Sequence, residues 1–143
     1  MFLRELYRHV ETREEKCFHV SSGQIGHNNG PLRSDGFYHC CAVVLDFGSS
    51  GAFLAHAYPE TEDSEEYTCI VNVARRLAMK ARRMGFAMAE SKAFVSAYKE
   101  EYRDRIIEDL REVGIPVIES SIEPYGRNVI YNPKEGQLRI EAI

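Results

Sequence analysis

The sequence predicts a single α+β domain, in which mixed, largely antiparallel β-sheets pack with about three helices. Three observations support this class. The chain has 143 residues, which fits one domain, and 44% hydrophobic against 28% charged residues is an ordinary globular composition. Residues 37–47 form a nearly continuous apolar run, typical of a strand covered on both faces. Two later segments carry apolar residues at helical spacing between short strand candidates.

The N-terminal third contains few regular patterns. Apolar residues recur at helical spacing over residues 2–12 and predict a short amphipathic helix. Residues 17–20 are a brief strand candidate. Residues 21–36 are rich in Ser, Asn and Gly and include Pro31, so this stretch is predicted to be a long loop, and loops of this length are usually functional.

A β-hairpin follows this loop. Residues 37–47 are its first strand, GSSG at 48–51 is its turn, and residues 51–58 are its second strand. The hairpin carries two adjacent cysteines on the first strand and one histidine on the second. We expect the rest of the chain to support this hairpin.

The remainder alternates helices with strands. An acidic loop at 59–66 precedes a helix that Asp63 or Ser64 is predicted to cap and that Gly85 ends. A charged helix is predicted from about Tyr98 to Gly114. The other strands are predicted within 86–95 and at 115–119, 128–131 and 137–142.

The bulk properties exclude several classes of function. A net charge of −4 gives no basis for nucleic-acid binding, and no apolar run approaches the roughly 20 residues that a membrane span needs. Without a secretory signal, the four cysteines are expected to be free thiols in a cytoplasmic protein. No cofactor is expected, and the oligomeric state is not predicted.

Cysteine beside histidine is the pairing that nucleophilic thiol chemistry needs, because an imidazole both produces and stabilises the thiolate. A three-residue turn places His56 opposite Ala42, which makes Cys40 its diagonal neighbour on the same face at ~7 to 8 Å. A two-residue turn would select Cys41 instead, because a shift of one residue exchanges the faces of a strand. Spacing alone leaves both registers open.

Other interpretations of the same residues are also open. Free cysteines are often buried, and a single histidine near a strand end is often hydrogen-bonded structure. A metal site built from His39, Cys40, Cys41 and His56 lacks the usual ligand spacing. His39, Cys41 and His27 are each interpreted as structural or solvated residues.

Several motifs in order resemble the CheD family of chemoreceptor glutamine deamidases. The family pattern GSC-x-A-V-V, then GGMAH and a proline, corresponds to CCAVVLD and GAFLAHAYP. Its later G-I-x-V and G-x-R-x-V-x-Y-N motifs, closing on G-x-L, correspond to REVGIPVIES and YGRNVIYNPKEGQLRI. The resemblance covers roughly residues 17–143 and implies an α/β/β/α sandwich, shared with deamidases that resemble cytotoxic necrotizing factor.

The resemblance implies a protein-glutamine deamidase that acts through a thioester. Cys40 matches the nucleophile and His56 the base. Ser34 stands six residues before the cysteine, where the family has a threonine that orients the histidine. The implied partner is a protein substrate of the chemoreceptor or signalling kind, with no nucleic acid and no membrane insertion.

The chain also departs from the family pattern. Tyr38 and His39 replace the small Gly-Ser before the cysteine, where an uncrowded backbone favours an oxyanion hole. The alternative function is therefore an inactive CheD-like adaptor that binds a regulatory or signalling protein.

Overall fold

The computed structural model describes residues 17–143, so the helix predicted at 2–12 lies outside the described residues. The described chain forms nine strands and two α-helices. The strands are β1 (Phe18–His19), β2 (Ile25–Asn28), β3 (Leu32–Phe37), β4 (Cys41–Asp46), β5 (Ala52–Ala57), β6 (Lys92–Ala97), β7 (Val117–Ile122), β8 (Arg127–Asn132) and β9 (Gln137–Ala142). The helices are α1 (Val73–Arg83) and α2 (Glu100–Glu112).

The strands form two sheets. One has five strands in the order β2-β5-β4-β6-β7, and the other has four in the order β1-β3-β8-β9. Only the β1–β3 and β6–β7 pairs are parallel among these strand pairs. This architecture confirms the predicted α+β class with mixed, largely antiparallel sheets.

The five-stranded sheet has a hydrophobic core on each face. One core joins alternate residues of β4, β5 and β6 to the apolar stripes of α1 and α2. The other joins the opposite face of β4 and β5 to β3 and β8 of the four-stranded sheet. All six residues of β4 are buried, as the apolar run predicts, because the strand is central in its sheet and both of its faces are covered.

The predicted loop at 21–36 is wrong, because it contains β2 and most of β3. Gly26 in β2 allows a close approach, since a Cβ there would lie 2.7 Å from atoms of Phe18 and Val20. β3 pairs with β8, which lies far away in the sequence. Its sequence is polar and resembles a loop. It is a strand because it pairs with β8, and no local pattern predicts that pairing.

The predicted helix start is also wrong. α1 begins only at Val73, and Asn72 precedes it as the N-cap residue. The Ser64 hydroxyl instead accepts the N–H groups of Glu66 and Tyr67 in a local turn. Asp63 accepts a bond from the Asn72 side chain at 3.0 Å. These residues hold the acidic segment against the start of α1 rather than capping it.

Each helix ends just before the glycine that was predicted to end it. Gly85 and Gly114 follow α1 and α2 with φ of +87° and +81°, a conformation that glycine adopts without strain. The strand predicted at 115–119 is displaced to Val117–Ile122, whereas β9 matches its prediction. Across residues 17–143, neither helix has the length and apolar character to cross a bilayer.

Candidate thiol and imidazole site

The hairpin of β4 and β5 decides which cysteine shares a face with the histidine. A 3-10 turn at Gly48–Ser50 joins the strands, and the Phe47 N–H donates to the Gly51 carbonyl at 2.9 Å. The register pairs Ala42 with His56. This is the three-residue turn, and it selects the register that favours Cys40 over Cys41.

The two cysteines lie in different cores. Cys40 packs in the core between the sheets, with 9% of its surface exposed. Cys41 is fully buried in the core beneath the helices. Because neighbouring residues of an extended chain point to opposite faces, only Cys40 lies in the layer of His56.

His56 is held in this layer from both sheets. Its main chain is bonded to the segment before β2, through the Gln24 carbonyl at 3.0 Å and the Gly23 N–H at 2.9 Å. Its ring stacks on Phe37 of β3, with centroids 3.6 Å apart and planes 13° apart. The fully buried imidazole therefore has one orientation.

Ser34 is the hydrogen-bond partner of this ring. Its Oγ lies 2.8 Å from His56 Nδ1 and 2.5 Å from the Val20 carbonyl oxygen. A carbonyl only accepts, so the hydroxyl proton lies toward Val20 and the serine oxygen accepts from Nδ1–H. The Nδ1–H tautomer is therefore the one this arrangement favours.

That tautomer leaves a lone pair on Nε2. Nε2 is buried and is the one buried side-chain nitrogen or oxygen without a hydrogen-bond partner within residues 17–143. Cys40 Sγ is accordingly not hydrogen-bonded to it. Buried polar atoms without partners are rare, and they often mark a site where a substrate or catalytic group completes the bonding.

The thiol and the imidazole are both neutral at rest. Burial raises the pKa of Cys40 to about 11, although the Arg127 charge opposes that rise. Burial, with Arg127 as a second cause, lowers the pKa of His56 to about 4. A stabilised thiolate was the expectation from sequence. The structure has a thiol and a free base instead, because the low-dielectric core penalises both charged forms.

Arg127 is a fourth functional candidate, which the motif and spacing arguments did not include in the site. It is the first residue of β8 and is fully buried. Its Nη2 donates to the Cys40 carbonyl at 3.1 Å and its Nε to Ser96 Oγ at 2.9 Å. Arginine directly before the strand predicted at 128–131 was the available signal.

Tyr38 and His39, which stand where the CheD pattern has Gly-Ser, lie at the surface. Tyr38 is 57% exposed, and its ring packs over Gly126, where a Cβ would lie 2.9 Å from two ring carbons. His39 is also exposed, and its ring contacts the Tyr98 ring edge-on, with ring centroids 4.8 Å apart. Both side chains therefore leave the layer between the sheets to Cys40 and His56.

The remaining histidine and the metal alternative are also located. His27 is half-buried on β2 rather than solvated in a loop, with its ring 4.7 Å from the Phe53 ring and its Nε2 3.1 Å from the Ser50 carbonyl oxygen. In the part of the chain that the structure describes, no group of three or more His, Cys, Asp or Glu could hold a metal ion.

Comparison with known proteins adds no assignment. No protein-family model matches the chain, and no curated protein matches it.

Proposed function

We propose that the protein is a thiol amidohydrolase that converts glutamine side chains of a protein substrate to glutamate. The observation that carries the proposal is the buried, unpartnered Nε2 of His56, which Ser34 holds in the tautomer of a general base and which shares its layer with the Cys40 thiol. The resemblance of the hairpin and the C-terminal motifs to the CheD family supports glutamine as the substrate group.

The neutral pair determines how the first step proceeds. A thiol with a pKa near 11 does not transfer its proton at rest to an imidazole with a pKa near 4. Transfer from Sγ to Nε2 is therefore coupled to attack of sulfur on the carboxamide carbon. The C–S bond forms as the carbonyl becomes an oxyanion, which backbone N–H groups near Cys40 would bind.

The later steps return the proton and complete hydrolysis. The imidazolium gives its proton to the departing nitrogen, so ammonia leaves and a thioester remains on Cys40. Water, deprotonated by Nε2, attacks the thioester, and the products are glutamate and the free thiol. These steps consume only water and the carboxamide, so they require no redox partner or cofactor.

A glutamine-directed electrophile tests the proposal. We expect a short peptide, in which a chloromethyl ketone replaces the glutamine carboxamide, to alkylate Cys40 selectively, with the adduct assigned by peptide mass spectrometry. The His56→Gln variant should slow this reaction by about 10²-fold or more, as general bases contribute 10²–10⁴.

Ammonia release from unfolded casein provides the second measurement. Cys40→Ala should abolish it, whereas Cys41→Ala, a matched control in the helix-side core, should retain it. The proposal is wrong if the chloroketone labels Cys17 as fast as Cys40, or if Cys40→Ala still releases ammonia.

A binding role is the second candidate, and one observation favours it. Tyr38, whose ring packs over Gly126, and Tyr125, which precedes Gly126 in the chain, expose 57% and 45% of their surfaces. Exposed aromatic residues are enriched where proteins bind partners. In this case the fold is an adaptor for a regulatory or signalling protein. The chloroketone would then show no preference for Cys40, and Cys40→Ala would leave partner binding unchanged.

A further inference from the structure

The guanidinium of Arg127 contacts the Cys40 segment directly. Its Nη2 bonds the carbonyl oxygens of Cys40 and Ser96 at 3.1 and 3.0 Å. Its Nη1 lies 3.3 Å from the Glu123 carbonyl oxygen, and its central carbon lies 5.5 Å from the Phe37 ring centroid. These bonds join β8 to β6 and to the residue that precedes β4, so Arg127 holds the Cys40 carbonyl in one direction.

The positive charge of Arg127 is only indirectly compensated. Its side chain is fully buried, and among residues 17–143 it forms no ion pair within 4.0 Å. Its nearest acidic connection runs through the Ser96 hydroxyl, which accepts from Arg127 Nε and donates to Glu123 Oε2 at 2.7 Å. A buried cation without a direct carboxylate is costly, and a site that develops negative charge gives a reason to keep one.

We propose that Arg127 is a positioning residue for Cys40, which fixes the cysteine main chain and supplies the positive field in which the thiolate forms. The inference deepens the proposed function, because it concerns the same thiol and so rests on that function for its catalytic meaning. Its physical content, a dependence of thiol ionisation on Arg127, requires no substrate.

The titratable groups around Cys40 lie on three strands and one loop. Arg127 is on β8, His56 on β5 and Cys41 on β4, while Glu123 lies between β7 and β8. The Arg127 charge lowers the pKa of Cys40 and also disfavours protonation of His56. Glu123 acts in the opposite sense, because its carboxylate stabilises the Arg127 charge. One cation thus favours both the thiolate and the unprotonated base.

A purely structural role for Arg127 makes the opposite prediction. If the guanidinium only tied strands together, its removal would loosen the hairpin and expose the thiols, so alkylation of Cys40 would become faster. Loss of the field makes alkylation slower, because less thiolate is present at a given pH. The direction of the change separates the two roles.

The test is the pH dependence of iodoacetamide alkylation, followed for each cysteine by peptide mass spectrometry. In Arg127→Met we expect the midpoint for Cys40 to rise by about one pH unit. Below the midpoint, its rate should fall about threefold to tenfold, because the higher nucleophilicity of a more basic thiolate offsets part of the loss. Arg127→Lys keeps the charge and should lie closer to the unmodified protein.

Glu123 is half-buried, and the Glu123→Gln variant should change Cys40 alkylation in the direction opposite to Arg127→Met. It removes the compensating charge but retains an acceptor for the Ser96 hydroxyl, so Cys40 should alkylate faster and with a lower midpoint. Cys17, which is partly exposed, serves as the reference thiol, and fully buried Cys41 and Cys69 report any loss of folding.

Faster or unchanged Cys40 alkylation in folded Arg127→Met would overturn the inference. If Arg127→Met exposes Cys41 and Cys69, Glu123→Gln decides instead. An unchanged pH profile of Cys40 alkylation in that variant would also overturn the inference. These outcomes are independent of the proposed function, whose failure appears as absent ammonia release and unselective chloroketone labelling while the alkylation shifts remain.

Discussion

Acidification should destabilise this protein through His56 before most carboxylates titrate. Burial lowers the pKa of the folded imidazole to about 4, whereas an unfolded histidine has a pKa of about 6.5. The unfolded state therefore binds a proton more readily between these values, and the free energy of unfolding falls as the pH falls. The contribution is fully present above pH of about 6.5 and is lost progressively toward pH of about 4.

The size of this effect follows from the two pKa values of His56. Each pKa unit corresponds to about 1.4 kcal/mol, so the full window amounts to about 3 kcal/mol. Between pH 7.5 and pH 5 the expected loss is about 2 kcal/mol. Because the side chain is fully buried, solvent screening does not reduce this free-energy contribution in the way it does for surface groups.

Urea unfolding at several pH values measures the effect. The chain has eight tyrosines and no tryptophan, so circular dichroism or tyrosine fluorescence reports the transition. His56→Gln keeps a side chain that can bond to Ser34 but does not titrate, and it should lose about 2 kcal/mol less than the unmodified protein over this range. Equal losses in the two proteins would refute a buried, neutral His56. Asp63, whose pKa is lowered by bonds from Asn72 and Arg75, contributes equally to both proteins.

Two further predictions concern buried hydrogen bonds. Ser34→Ala removes the acceptor of His56 Nδ1–H and should cost about 1–3 kcal/mol in urea unfolding, whereas Ser34→Thr, which keeps the hydroxyl, should cost less; equal stability of the Ala variant would contradict the bond. Tyr131→Phe removes a hydroxyl that donates to the buried Asp46 carboxylate and should also cost about 1–3 kcal/mol. Tyr125→Phe, at an exposed position, is the matched control, and a similar change in both variants would exclude a specific Tyr131 contribution.

Local features of the fold follow from the sequence. The turn GSSG leaves a parity choice that selects Cys40 or Cys41, and the observed register is one of the two that spacing allowed. Gly85 and Gly114 end their helices because a positive φ is accessible to glycine. β4 is recognisable because a strand buried on both faces must be apolar at every position. Each feature depends on residues within a few positions of one another.

Pairing between distant segments does not follow in the same way. β3 has a polar composition and was predicted to be part of a loop, yet it pairs with β8 across roughly a hundred residues of chain. The start of α1 was misplaced because Asp63 and Ser64 have the residue types of helix caps. Their actual partners are in the turn before Asn72, where tertiary packing determines the path of the chain.

In the candidate site, too, some features follow from local sequence and others require the packing of the two sheets. Sequence spacing allows either Cys40 or Cys41 to share a face of the hairpin with His56, since the pleat of a strand repeats every two residues, and the observed register is the one that selects Cys40. The contact of Ser34 with His56, expected beforehand only from a family resemblance, requires two different sheets to pack face to face. The burial of Arg127 beside the Cys40 carbonyl requires the same packing. Sequence by itself therefore determined the residue types and the hairpin, whereas tertiary structure decided the tautomer, the charges and the neutral state of the pair, because desolvation depends on what covers each group.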